Sequence, residues 1–121
     1  MKIYRIYKFE AAHSLPKTPP DHKCHGIHGH NFTVMIQFEG PIDPQLGWVV
    51  DFGMIDAIWD QLIFCEVDHK YLNHVDGLDN PTSENIARWI WDLLTITQLG
   101  PLLYSVSVSE NDHSGTVYEG P

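Results

Sequence analysis

The chain has 121 residues, 43% apolar and 19% charged, with 7 Lys and Arg against 16 Asp and Glu for a formal charge of −9. That size and balance suit one packed domain spanning residues 1–121 and exclude collagen-like, coiled-coil and low-complexity architectures. Scattered cations on an acidic chain argue against nucleic acid, no apolar stretch reaches the ~18 residues of a membrane span, and the opening MKIYRIYKFE has no leader-like apolar core, so a cytoplasmic protein with no membrane partner is expected.

Taken in chain order, residues 2–13 alternate with Ile3, Tyr7, Phe9 and Ala11 on one face, which predicts a first strand. Pro16 to Pro20 reads as a loop. The apolar even positions Phe32, Val34, Ile36 and Phe38 predict a second strand with one buried face. Ile55, Ile58, Trp59, Leu62 and Ile63 form the stripe of an amphipathic helix, with Asp51 near its start as a cap. Ile86, Trp89, Ile90, Leu93 and Leu94 repeat that spacing after the start signals Asn80 to Ser83, and Gly100-Pro101 prevents the second helix from continuing. Leu102 to Glu110 alternates again, and Gly115 to Glu119 is a short closing strand. The expected fold is α+β, order ββααββ: a four-stranded antiparallel sheet with two helices on one face. Its two open edges call for self-association, so a homo-oligomer is expected.

Histidine is over-used: there are eight, four of them between positions 22 and 30. If the second strand begins a few residues early, His28 and His30 share the buried parity of Phe32, and His13 ends the first strand on its own apolar parity. Ionisable rings on a core face are costly without a partner, and three neutral imidazoles suit zinc while leaving a coordination position open, which is a catalytic type of site. His22, His25, His74 and His113 read as surface residues.

The two cysteines are too few for a disulfide framework. Cys24 precedes the histidine cluster, where a thiol near a dication and Lys23 is open to three readings: a base, a fourth ligand or an inert side chain. Cys65 reads as packed at the apolar end of the first helix. Glu110 keeps the parity of Tyr104, Val106 and Val108 and so points inward at the strand end. Asp68-His69 offers a carboxylate that orients and charge-stabilises an imidazole, and Thr82, Ser83 and Glu84 read locally as a helix cap with an acid in the first turn.

In order, FEAAH, CHGIHGH, VDFG, DHK, PTSEN and SEND cover nearly the whole chain and resemble the 6-pyruvoyl-tetrahydropterin synthase family, most closely its short bacterial 6-carboxytetrahydropterin synthase branch. The resemblance implies the tunnelling fold, in which four-stranded sheets of neighbouring subunits join into a barrel, commonly as a hexamer made of two trimers. It makes His13, His28 and His30 the zinc ligands, Cys24 the proton-abstracting residue, and Asp68 with His69 its relay across a subunit boundary. It makes Glu110 the anchor of the pterin ring and puts Glu84 and Thr82 at the pterin pocket. The implied substrate is 7,8-dihydroneopterin triphosphate, with Lys17, Lys23 and Lys70 as candidate cations for its triphosphate. Zinc-assisted proton abstraction by Cys24 would be followed, in the bacterial branch, by loss of triphosphate and acetaldehyde to give 6-carboxy-5,6,7,8-tetrahydropterin for 7-deazaguanine and queuosine synthesis. The pyruvoyl product is the alternative, and a zinc-binding module without catalysis is the alternative of another class.

Overall fold

A computed structural model describes all of residues 1–121. Strand β1 (Lys2–His13) pairs antiparallel with β2 (His28–Glu39) over their full length, so that both alternations face the same way: Phe9, Ala11, Phe32, Val34, Ile36 and Phe38 all enter the core. On the other side of β2 lies β4 (Leu103–Ser109), shifted by a bulge between Gln37 and Phe38, and β5 (Thr116–Tyr118) completes that edge.

Helix α1 (Phe52–Trp59) starts where Asp51 accepts the N–H of Gly53. It runs without a break into a π-helical turn, Asp60–Phe64, and a closing α-turn, α2 (Cys65–Val67). Ile55, Trp59, Ile63 and Val67 recur every four residues along this rod and are all buried, which places it on the sheet's core face. Trp59 stacks on Tyr7 of β1 at 4.4 Å, and the Tyr7 hydroxyl donates to Asp56 beside a two-pronged Arg5–Asp56 pair. Helix α3 (Ser83–Thr95) is capped by Thr82, whose hydroxyl accepts the Asn85 N–H, and buries Ile86, Ala87, Ile90 and Leu94 in the same core. The chain then turns through Gly100, where a Cβ would stand 2.1 Å from the Thr95 carbonyl oxygen and only glycine fits.

The α+β layering follows the sequence, but the sheet does not have four antiparallel strands. It has five, in the order β3-β1-β2-β4-β5, and β3 (Lys70–Tyr71) runs parallel to β1 beside Ala11 and Ala12. Two residues are too short to show a period of two, so no alternation announces this strand. Cys65 is also not packed: its side of the rod lies away from the stripe ending at Val67, the residue is exposed, and its thiol donates to the Gln61 carbonyl. No helix is long and apolar enough to cross a membrane.

Candidate metal centre

The β1–β2 register decides the centre. It sets His13 directly opposite His28 and Ala11 opposite His30, so His30 is the diagonal neighbour of His13 on the buried face. The three rings stand edge-on to one another with centroids 4.5, 4.9 and 5.1 Å apart, above Phe32. One ring nitrogen from each lies within 4.8 Å of the others.

Their protonation follows from the partners. His13 Nδ1 donates to the Pro81 carbonyl at 2.8 Å and His28 Nδ1 to the Gly26 carbonyl at 2.8 Å, which leaves both Nε2 lone pairs free. All three Nε2 atoms are buried without a hydrogen-bond partner. His13 is fully buried, and burial, outweighing the Pro81 carbonyl and the Glu110 charge, holds its pKa below the ordinary imidazole value. Three buried, converging and unpartnered Nε2 atoms, two of them left with free lone pairs because their rings' Nδ1 atoms are tied to carbonyls, make a donor set that can hold a metal ion.

Glu110 follows the last residue of β4, and its carboxylate stands 3.4 Å from His30 Nε2 and 3.8 Å from His13 Nε2. It also borders a small recess of about 190 Å3 with Ser83, Glu84 and Thr116, so the inward aim read from its parity holds. Ser83 Oγ reaches both Glu84 and Thr116 there, whereas Thr82 is occupied in capping α3.

Beyond His30 and Glu110 opens a cleft of about 950 Å3 that also takes in Asp68 and His69. Asp68 Oδ2 meets His69 Nδ1 at 2.8 Å while its Oδ1 accepts the Glu10 N–H, and the His69 N–H donates to the Glu10 carbonyl. These bonds hold His69 at φ 57°, a left-handed conformation that a residue with a Cβ adopts only when its surroundings impose it. The Asp68 hydrogen bond raises the His69 pKa, with their charge attraction adding to it, and the same bond lowers that of Asp68.

Cys24 is half-buried in the β1–β2 connection and does not line this cleft. Its carbonyl accepts the Leu15 N–H, which pins its backbone two residues beyond His13. Of the candidate cations, Lys70 borders a groove with His69 and His30, Lys17 lies in a separate recess with Arg88, and Lys23 is exposed. Lys8, which the sequence did not single out, lines the main cleft, as does His113. His25 is half-buried, held by Thr18, and is not a simple surface residue.

The model of the 6-pyruvoyl tetrahydropterin synthase family matches residues 2–121. The chain belongs to this family. A 6-carboxy-5,6,7,8-tetrahydropterin synthase from Synechocystis sp. is 38% identical over 98% of the chain and 93% of the relative. A dihydroneopterin monophosphate aldolase from Pyrococcus furiosus is 38% identical over 74% of the chain and 73% of the relative. The Caenorhabditis elegans 6-pyruvoyl tetrahydropterin synthase structure superposes with a TM-score of 0.91 at 27% identity, covering all of this chain and 96% of that one. As a member of the 6-pyruvoyl tetrahydropterin synthase family, the chain is an enzyme.

Proposed function

We propose that this chain is a zinc-dependent lyase that converts 7,8-dihydroneopterin triphosphate and one water to 6-carboxy-5,6,7,8-tetrahydropterin, triphosphate and acetaldehyde, in the cytoplasmic route to 7-deazaguanines such as queuosine. The observation that carries the metal-dependent part is the convergence of the unpartnered Nε2 atoms of His13, His28 and His30. The Synechocystis relative, matched over nearly its whole length, favours the carboxy product. The 6-pyruvoyl reaction is the second reading, favoured by the close superposition on the C. elegans enzyme.

His13, His28 and His30 would hold the zinc ion, whose Lewis acidity would make a C–H bond of the bound substrate side chain easier to ionise. The protein's own groups do the rest. Glu110, beside the histidines and facing the Glu84 recess, accepts two parallel hydrogen bonds from the amino and N–H groups of the pterin ring, which fixes the side chain over the metal centre. Thr82 contributes by starting the helix that brings Ser83 and Glu84 to that recess. Cys24 takes the proton from the substrate side chain. His69, with its charged form stabilised by Asp68, donates or shuttles a proton. In an oligomer, with the two-residue edge β3 and the three-residue edge β5 covered by neighbouring copies as a hexamer of two trimers, this dyad serves the Cys24 of an adjacent subunit.

The test is to incubate zinc-loaded protein with dihydroneopterin triphosphate and identify the products by mass spectrometry. Carboxytetrahydropterin with acetaldehyde is expected. A pyruvoyl product moves the assignment to the second reading, and absence of turnover with zinc bound overturns both.

A further inference from the structure

His13 is the most enclosed of the three histidines, and two asparagines outside the site hold it from opposite sides. On its backbone side, Asn73 behaves as an added strand partner beyond the end of β3: its Oδ1 accepts the Ser14 N–H at 2.9 Å and its Nδ2 donates to the Ser14 carbonyl at 2.9 Å. On its ring side, Nδ1 rests on the Pro81 carbonyl. That carbonyl belongs to an irregular stretch, Asp79 to Thr82, in which proline has no N–H to offer a ladder. The stretch is tied down by Asn85, whose Nδ2 donates to the Asn80 carbonyl at 2.8 Å, and by a longer 3.5 Å reach of Asn73 Nδ2 to the Asp79 carbonyl.

We propose that Asn73 and Asn85 are positioning residues for His13, together fixing its Nδ1–H tautomer and the aim of its Nε2, and that they thereby set the affinity of the three-histidine centre for its metal. The proposal rests on the metal-centre reading above. Asn73 needs an amide because Ser14 must be given a donor and an acceptor at once, which a carboxylate of the same shape cannot do. Asn85 needs one because a free Nδ2 donor must meet a carbonyl. If the Pro81 carbonyl shifts, the His13 ring loses the partner that decides which nitrogen carries the proton, and outer groups of this kind typically change metal affinity by about 10- to 100-fold. The same short segment that carries Asp68 and His69 ends in Asn73, so the dyad and the ligand clamp are built on one piece of chain.

The isosteric variants Asn73→Asp and Asn85→Asp remove the donors. The second also places an acid in the first turn of α3, which favours the helix, so this variant is expected to fold. Zinc dissociation constants are measured by competition with a chromophoric chelator well below the melting temperature, and the His13 tautomer of the metal-free protein is read from its ring 15N shifts. Each variant is expected to bind zinc about tenfold or more weakly and to show a mixed His13 tautomer. Affinities within twofold of the parent, with His13 still an Nδ1–H tautomer, overturn the proposal. Failure of the parent to bind zinc overturns the metal-centre reading instead, and the tautomer measurement then decides the role of the two asparagines by itself.

Discussion

His13 and His69 show how position alone sets the charge of one side-chain type. Burial keeps His13 neutral and available as a donor, whereas the Asp68 hydrogen bond favours the protonated form of the exposed His69. Because the folded pKa of His69 lies above its ordinary 6.5 and that of Asp68 below its ordinary 3.8, their pairing contributes fully between those two ordinary values. It is lost as pH rises through the raised His69 value or falls through the lowered Asp68 value. Asp68→Asn should bring the His69 midpoint, followed by NMR, back toward 6.5; an unchanged midpoint would show that the pair does not control the ring. Cys24→Ala should retain zinc at the parent stoichiometry, measured by atomic absorption, and lose turnover by at least about 100-fold, the scale of a positioned proton acceptor. The histidine trio and Glu110 were legible in the sequence because strand parity aims them. Asn73 and Asn85 were not, since an amide's task depends on which backbone comes to rest beside it, and no spacing records that.

The elements with a long period were legible, and so was the short closing strand β5, whereas two short irregular elements were not. The alternation of β2 fixes which face is buried, and full pairing with β1 then places His13 opposite His28. The parallel strand β3 and the π-turn left no such mark. The latter widens the rod by one residue per turn while keeping Ile63 on the core face, fully buried between Trp59 and Val67. Ile63→Ala should therefore cost about 2–5 kcal/mol in urea unfolding, and Phe32→Ala about 3–5 kcal/mol, because both leave cavities in a core that cannot close over them. Gln61→Ala, on the exposed side of the same turn, should stay within about 0.5 kcal/mol of the parent. A comparable loss at Gln61 would mean that the π-turn is held by its outer face.

At the scale of the molecule, binding of a metal at the proposed centre would be one equilibrium with folding, since the three histidines meet only when β1 and β2 are paired. Zinc at about 100 times its dissociation constant should add about 2.7 kcal/mol and raise the melting temperature by roughly 10 °C; chelation should reverse it, while His28→Ala protein should show no response to zinc. The cleft has a further consequence, for the kinetics of encounter. Glu10, Asp68, Glu110 and Asp112 line it with Lys8 as its one lysine or arginine, on a chain whose formal charge is −9. On the proposed reaction a triphosphate ester would approach a chain of its own sign, a repulsion that the metal's charge and a protonated His69 offset only beside the site. Shortening the Debye length from about 30 Å at 0.01 M salt to about 8 Å at 0.15 M screens that repulsion, so kcat/KM should climb with ionic strength, opposite to the behaviour of enzymes that draw anions in.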